Sequence, residues 1–218
     1  KISKNFKAPT FNDLYWVSAG SIGNISLLPE LAHNIETTLN FNAISLTLYS
    51  NKIKQMIRWR PNKNGFWMPE NLEKVWARGF EFSNVFTKKI FNKSLSLNTF
   101  YSFTVSTLQD NSISNGSSIG QQLTYVPRHK VSTILRLDMS EWIFSFSSTY
   151  NDEVNTTSDG IRTLPSYFLS DLIIQYLTKR APLVLSLKIN NLTNSIYQVY
   201  EWFPMPGRHF VFNINLKF

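Results

Sequence analysis

The sequence has no cysteine among its 218 residues. That removes disulfide frameworks and thiolate metal sites, and it suits an oxidising compartment, where a stray thiol is a liability. No uninterrupted run of about 18 apolar residues occurs, which excludes a membrane-spanning helix. Glycine is sparse, at 8 residues, and there is no Gly-rich phosphate loop, no G-x-S-x-G turn and no His-rich metal spacing. Neither a metal nor a cofactor is therefore expected. Acidic side chains are the minority charge, 14 against 22 Lys and Arg, for a net charge of +8. Such a balance fits nucleic acid, anionic lipid or an acidic ligand. The basic residues are not clustered in a nucleic-acid-binding module, so nucleic acid is not an expected partner. The first residues, Lys1 to Phe6, contain neither an initiator Met nor an apolar signal core. The expectation is a mature protein or the C-terminal piece of a longer one.

What is abundant is aromatic. Phe, Tyr and Trp make up 15% of the chain, yet mean hydropathy is only −0.17. A barrel in lipid needs an apolar outer band and aromatic girdles, while its polar lumen holds mean hydropathy near zero. The last eleven residues, Arg208 to Phe218, show the pattern most sharply. Phe210, Phe212, Ile214, Leu216 and Phe218 share one parity, and His209, Val211, Asn213, Asn215 and Lys217 share the other. Period-two alternation of this kind defines a strand with one apolar face, here about as long as a bilayer-crossing strand needs to be. A soluble two-sheet sandwich produces the same alternation in a single strand.

Similar segments recur along the chain: Lys1–Ala8, Ile35–Phe41, Ile44–Trp59, Asn71–Thr87, Lys93–Leu108, Lys130–Leu137, Glu141–Asp152, Pro165–Leu177, Pro182–Asn190 and the terminal one, ten in all. Short connections (Asn42-Ala43, Lys88–Asn92, Asp138–Ser140, Thr178–Ala181) alternate with long ones (Pro9–Ala32, Arg60–Glu70, Gln109–Arg128, Asn151–Thr163, Asn191–Gly207). In an antiparallel meander this places every short turn on one rim and every long loop on the other, as in outer-membrane barrels with short periplasmic turns and long extracellular loops. The expected fold is all-β: an antiparallel transmembrane β-barrel wall of about ten strands, with 1–218 forming one unit.

Several motifs sit on this frame. Phe6 to Trp16 reads FKAPTFNDLYW, with Phe6, Lys7, Ala8 and Pro9 as its core; Gly23 to Glu30 reads GNISLLPE. Asn190-Asn191-Leu192, Tyr197, and Pro204 to Phe210 with Pro206, Gly207 and Arg208 follow, and the chain closes on Phe218. In order and spacing these resemble the C-terminal half of TonB-dependent outer-membrane receptors, of the cobalamin- and siderophore-receptor type, and the abundance of Lys and Asn is in keeping with a Bacteroidetes source. The resemblance implies a barrel of about 22 strands with a plugged lumen, of which these ten would be the last. It further implies an N-terminal plug, a short box that engages a TonB-type energy-coupling protein, and active uptake of a large scarce nutrient across the cell outer membrane. Haem-transporting relatives place a His between the two boxes; none occurs between Phe6 and Pro29, which argues against haem.

Read from the residues themselves, Pro9 stops a strand because it cannot donate to a ladder. The loop aromatics Tyr15, Trp16, Phe66, Trp67, Tyr125, Tyr200, Trp202 and Phe203 are the candidates for substrate contact, since flat rings bind bulky chelates at small entropic cost. Basic residues near the long-loop rim (Arg58, Arg60, Lys63, Arg128, Lys130, Arg162, Arg208) would meet lipopolysaccharide phosphates, solvent or an anionic ligand. Lys88, Lys89, Lys179 and Arg180 belong to the short-turn rim. Expected partners are outer-membrane lipid and lipopolysaccharide, the remainder of the barrel and plug, the coupling protein, and a surface lipoprotein lid. A self-contained ten-strand barrel acting as a rim protease or adhesin is the alternative, with Asp13, Asp110, Asp152, Asp159, His129 and His209 as its titratable rim groups. No spacing among them demands catalysis, so an enzyme is not expected.

Overall fold

The computed structural model describes residues 1–62, 64–110, 119–178 and 183–216, apart from the side chains at 72, 73 and 110. The main path of its sheet runs through ten strands. They are β1 (Ile2–Lys7), β2 (Glu30–Phe41), β3 (Ile44–Pro61), β4 (Trp67–Ile90), β5 (Lys93–Asp110), β6 (His129–Met139), β7 (Trp142–Asn151), β8 (Tyr167–Leu177), β9 (Leu183–Asn190) and β10 (His209–Leu216). Every pairing along this path is antiparallel and joins chain neighbours. β1 and β10 are its two edges and are not paired with each other. The closure that a self-contained ten-strand barrel requires is thus not made among the described residues. Lys63, Lys179, Arg180, Lys217, Phe218 and the side chain of Asp110 lie outside the described residues.

Strand boundaries depart from expectation above the alternating segments. β2 begins at Glu30 rather than Ile35, and β4 begins at Trp67 rather than Asn71. The connection expected over Arg60–Glu70 contracts to residues 62–66, so Trp67 is a strand residue and not a loop aromatic. At the opposite rim β4 runs through Lys88 and Lys89 to Ile90, leaving a two-residue turn at Phe91-Asn92. Asn42, Phe91 and Ser140 each open a two-residue turn with φ of 50°, 53° and 46°. Asn tolerates that left-handed region readily; an exposed Phe there is an uncommon choice.

Register carries the two-faced pattern across the whole sheet. Cross-strand partners share a face, so Phe212 on β10 aligns with Leu187, Ile174, Phe144, Leu137 and Leu95 on β9 to β5. The same face continues as Phe82 with Tyr101 and Leu46, Leu46 with Leu39, and Ile2 with Ile35. The opposite face carries Asn213 with Ser186, Gln175 with Ile143, Ser102 with Glu81, Thr47 with Thr38, and Ser3 with Asn34. One face is apolar and the other largely polar, as a lipid-facing and a lumen-facing wall require. On the lumenal face Gly79 permits close approach: a Cβ there would collide with the carbonyl oxygen of Phe103. Tyr49 lies over it and its hydroxyl bonds that of Thr104, 2.7 Å away.

Candidate functional site at the long-loop rim and lumenal wall

Between β1 and β2 the chain folds back along the tall β3–β4 hairpin. The FKAP-like box ends the strand: Lys7 closes β1, pairs with Glu30 at 3.2 Å, and Pro9 precedes the cap of a short helix α1 (Phe11–Tyr15). Thr10 caps it, accepting from the Asp13 amide, while Asp13 Oδ2 accepts from the Thr10 amide and hydroxyl at 2.9 and 2.7 Å. This is a capping box with Asp as its acidic member. Asp13 is buried, and its other oxygen accepts from Trp59 Nε1 on β3 at 2.8 Å. Burial pushes its pKa up, but the bonds from Thr10 and Trp59 and the charge of Lys7 hold it below the usual carboxylate range. Beyond the helix, Val17–Ser18 pairs with Ser21–Ile22, Trp67 N donates to Gly20 O, and Asn71 exchanges two 2.9 Å bonds with the Leu28 backbone.

The connection after β5 is stapled by Gln122. Its Oε1 accepts from Ser106 N, and its Nε2 donates to Thr104 O and Val126 O. Arg58 reaches from β3 to the carbonyl and hydroxyl oxygens of Thr124. Beneath lies a small core of Val75, Leu108 and Leu123, flanked by Ile53, Met56 and Val126.

Over β6 to β10 the loops form a second knot. Asn191 is buried at φ 50°; its amide donates to Asp171, its Nδ2 to Ser195 O and Pro206 O, and its Oδ1 accepts from Ser195 N. Leu192 N donates to Ser170 O, and Arg208 donates to Asn194 Oδ1 and Leu192 O. A Cβ at Gly207 would meet Asn194 Oδ1 at 2.9 Å. The Asn191-Leu192 and Pro206-Gly207-Arg208 motifs are thus one interlocked loop base. A recess of about 210 Å³ beside it is lined by Asp171, Asn190, Tyr197 and His209.

The candidate aromatics fall into two groups. Tyr15, which packs its ring on Phe11 at 4.9 Å, joins Trp16, Phe66 and Trp67 on the β1–β4 side. Tyr125 and Tyr200 meet at 5.2 Å on the other, where Glu201 and Trp202 (78% exposed) form the tip of the hairpin Gln198–Tyr200 with Phe203–Pro204, in which Phe203 pairs with Tyr200. The titratable rim groups are dispersed. Asp152 accepts from Tyr150, Asp159 from Thr157, and His129 stacks on Tyr101 on the outward face. Sequence reasoning missed two things: Asp13 as a buried loop anchor, and a recess of about 350 Å³ on the lumenal wall. The recess is lined by Asn34, Glu36, Thr47, Tyr49, Asn51, Ala77 and Glu81, and there Asn51 Oδ1 is buried without a hydrogen-bond partner. Register alone places both carboxylates on the lumenal face, so that signal was available once the strands were paired.

The family model for the TonB dependent receptor-like β-barrel matches residues 1–192. The chain belongs to the TonB-dependent receptor β-barrel family. Among curated relatives of this receptor chain, the vitamin B12 transporter BtuB of Vibrio vulnificus (strain YJ016) is 28% identical over 224 residues, 98% of this chain and 33% of the relative. BtuB of Photobacterium profundum is 26% identical over 230 residues, 100% of this chain and 35% of the relative. The chain therefore spans about a third of the length of the relatives it matches. Among solved structures, the ferric-catecholate import receptor Fiu of E. coli superposes over the whole chain and 32% of its own length, with TM-score 0.74 and 18% identity. The copper transporter OprC does so with TM-score 0.74 and 14% identity, over 36% of its length. At those identities the likeness is one of fold. This receptor wall is an outer-membrane β-barrel segment.

Proposed function

We propose that this chain is the C-terminal wall of a TonB-dependent transporter that takes up a large scarce nutrient, of the cobalamin or ferric-siderophore type, across the outer membrane. The observation that carries this reading is the lumenal wall. Glu36 and Glu81 stand in a polar recess with an unpartnered buried Asn51 oxygen, which fits a surface that receives basic and hydrogen-bonding groups of a plug. Barrel strands supplied by the rest of the protein meet the open edges of β1 and β10, because unpaired strand edges in hydrocarbon cost several kcal/mol per group. Substrate meets the loop aromatics Tyr15, Trp16, Phe66, Tyr125, Tyr200, Trp202 and Phe203 on the extracellular side. A TonB-type coupling protein, acting through a box outside this chain, displaces the plug. Phe11, Ile161 and Ile196 are 80%, 81% and 97% exposed on these loops, apolar tips that suit contact with a surface lipoprotein lid. Cobalamin is the first ligand to test, because both relatives quoted above are named vitamin B12 transporters.

The test is growth of a gene-deleted strain on limiting cobalamin, and separately on limiting ferric siderophore, with wild-type or Glu36→Gln/Glu81→Gln protein restored. Wild type should rescue growth on one of the two, only while the coupling protein is present, and the double variant should leak large antibiotics through a loosened plug. Rescue that persists without the coupling protein would overturn the reading.

A further inference from the structure

The lipid-facing wall is not uniform. From β6 to β10 its outward positions, from Val131 through Met139 and Trp142 through Tyr150 to Leu216 on β10, carry no Lys or Arg. On β1 to β4 the apolar stripe gives way, toward the long-loop rim, to basic residues on the same outward face. Ile2, Ile35, Ser50 and Arg78 align in one row, and Lys4, His33, Lys52 and Trp76 in the next. Lys54 stands one further step up on β3. No carboxylate occupies an outward position of β1, of β2 from Leu31, of β3 from Ile44 to Lys54, or of β4 from Trp76 to Ile90. Two of the cations gather on one indole, and Arg78 also donates to the Trp76 carbonyl and to Thr107 Oγ1 at 3.4 and 3.3 Å. The Arg78 guanidinium lies 3.9 Å and Lys52 Nζ 5.7 Å from the Trp76 ring, and Trp76 Nε1 donates to Ser50 Oγ at 2.9 Å. Lys4, His33, Lys52 and Lys54 are exposed.

We infer that this patch binds the phosphate-bearing headgroup of an outer-leaflet glycolipid of the lipopolysaccharide class, whose acyl chains lie on Leu46, Leu48, Phe80 and Phe82 directly below. Charge and position argue together. Four permanent cations, Lys4, Lys52, Lys54 and Arg78, face the bilayer where basic residues begin to interrupt the apolar stripe, with Phe6 and Leu31 still apolar in the Lys54 row, and cations placed there are stabilised by anionic headgroups. The Trp76 indole belongs to the membrane interface, and its ring pre-orders Arg78, reducing the rotamer freedom lost when the guanidinium grips a phosphate. These are not the basic residues that sequence reading nominated. Arg58, Arg60, Arg162 and Arg208 turn instead to Thr124, Glu70, Glu201 and the Leu192 carbonyl.

The inference rests on the proposed orientation with long loops outside, and the experiment separates the two. Wild type, Lys52→Glu/Arg78→Glu, the milder Lys54→Glu, and a lumenal control, Lys130→Glu/Lys188→Glu, are isolated from native outer membranes in mild detergent. Retained lipopolysaccharide per protein is measured by native mass spectrometry. On the same cells a cysteine placed at Ser158 is probed with an impermeant maleimide. The expected result is labelling at Ser158, lipopolysaccharide retention reduced roughly tenfold in the double outward variant and a few-fold in Lys54→Glu, and unchanged retention in the lumenal control. Labelling with undiminished retention, or equal loss in the lumenal control, overturns the headgroup site alone. Retained phosphate that proves to be phosphatidylglycerol or cardiolipin also overturns it. Failure to label Ser158 overturns the orientation, and the site with it.

Discussion

β3, β4 and β5 are 18, 24 and 18 residues long, whereas β6 to β10 have 11, 10, 11, 8 and 8. A tilted strand crosses a bilayer in about 9–11 residues. The second group therefore spans and stops, while the first continues past the membrane as a tall arm. The two regions are held by different forces. In the spanning wall hardly any apolar side chain is buried among the described residues, because lipid covers one face and the lumen the other. On the lumenal side of the arm, where water and not lipid is the solvent, Val75, Leu108 and Leu123 form a core beneath a loop stapled by Gln122, as in a soluble protein. Polarity of the solvent, not strand propensity, decides where the core sits.

That contrast breaks most visibly at Leu108. Leu108→Ala should destabilise the arm by about 2–5 kcal/mol while leaving the spanning wall intact. Hydrogen exchange should then rise in residues 119–128 and at the top of β3–β5 but stay flat in β7 and β8; a uniform rise would mean arm and wall are one cooperative unit. The wall is probed by Ile214→Arg, expected to cost about 2–4 kcal/mol at midplane depth, against Asn213→Arg on the lumenal face, expected to be tolerated. Equal costs in urea titration would remove the assignment of faces. The smallest effect is the pH dependence of the first loop. Asp13 has its folded pKa depressed, so its contribution, about 1 kcal/mol for a cap of this kind, is present above the usual carboxylate range. It fades as pH falls through the lowered value. Exchange at residues 10–24 should increase on acidification below about pH 4, and Asp13→Asn should show the faster exchange already at neutral pH with the acid step removed.

The same division explains what could be read in the sequence. All ten strands were legible where lipid enforces alternation, down to the parity of Phe212 against Asn213. Legibility failed at Glu30–Asn34 and Trp67–Glu70. These segments rise above the hydrocarbon, where headgroups, water or loops meet their faces, and Pro69 within β4 reads as a breaker when no lipid pattern contradicts it. The pair Lys88-Lys89 misled in the same way at the other rim, since charges are welcome on a strand once it has left the hydrocarbon. Of the site, the aromatic richness of the loops and the FKAP-like and Asn191-Leu192 motifs were visible. The burial of Asp13 against Trp59 was not, because it depends on a contact 46 positions apart. The cationic patch on β1 to β4 emerges only when Lys4, His33, Lys52 and Arg78 are set side by side by register.

The meander also has a temporal meaning. Since every pairing on the main path joins neighbours in the chain, each strand can add to the edge of the last by closing only the connection that precedes it, and because closure entropy grows slowly with loop length even the long connections add little. The last such step lays β10 on β9 and leaves a row of unsatisfied amides and carbonyls facing outward. In the proposed transporter, joining that row to a strand from elsewhere is the one distant contact of the wall, so closure of the barrel, not formation of its wall, is where folding should slow.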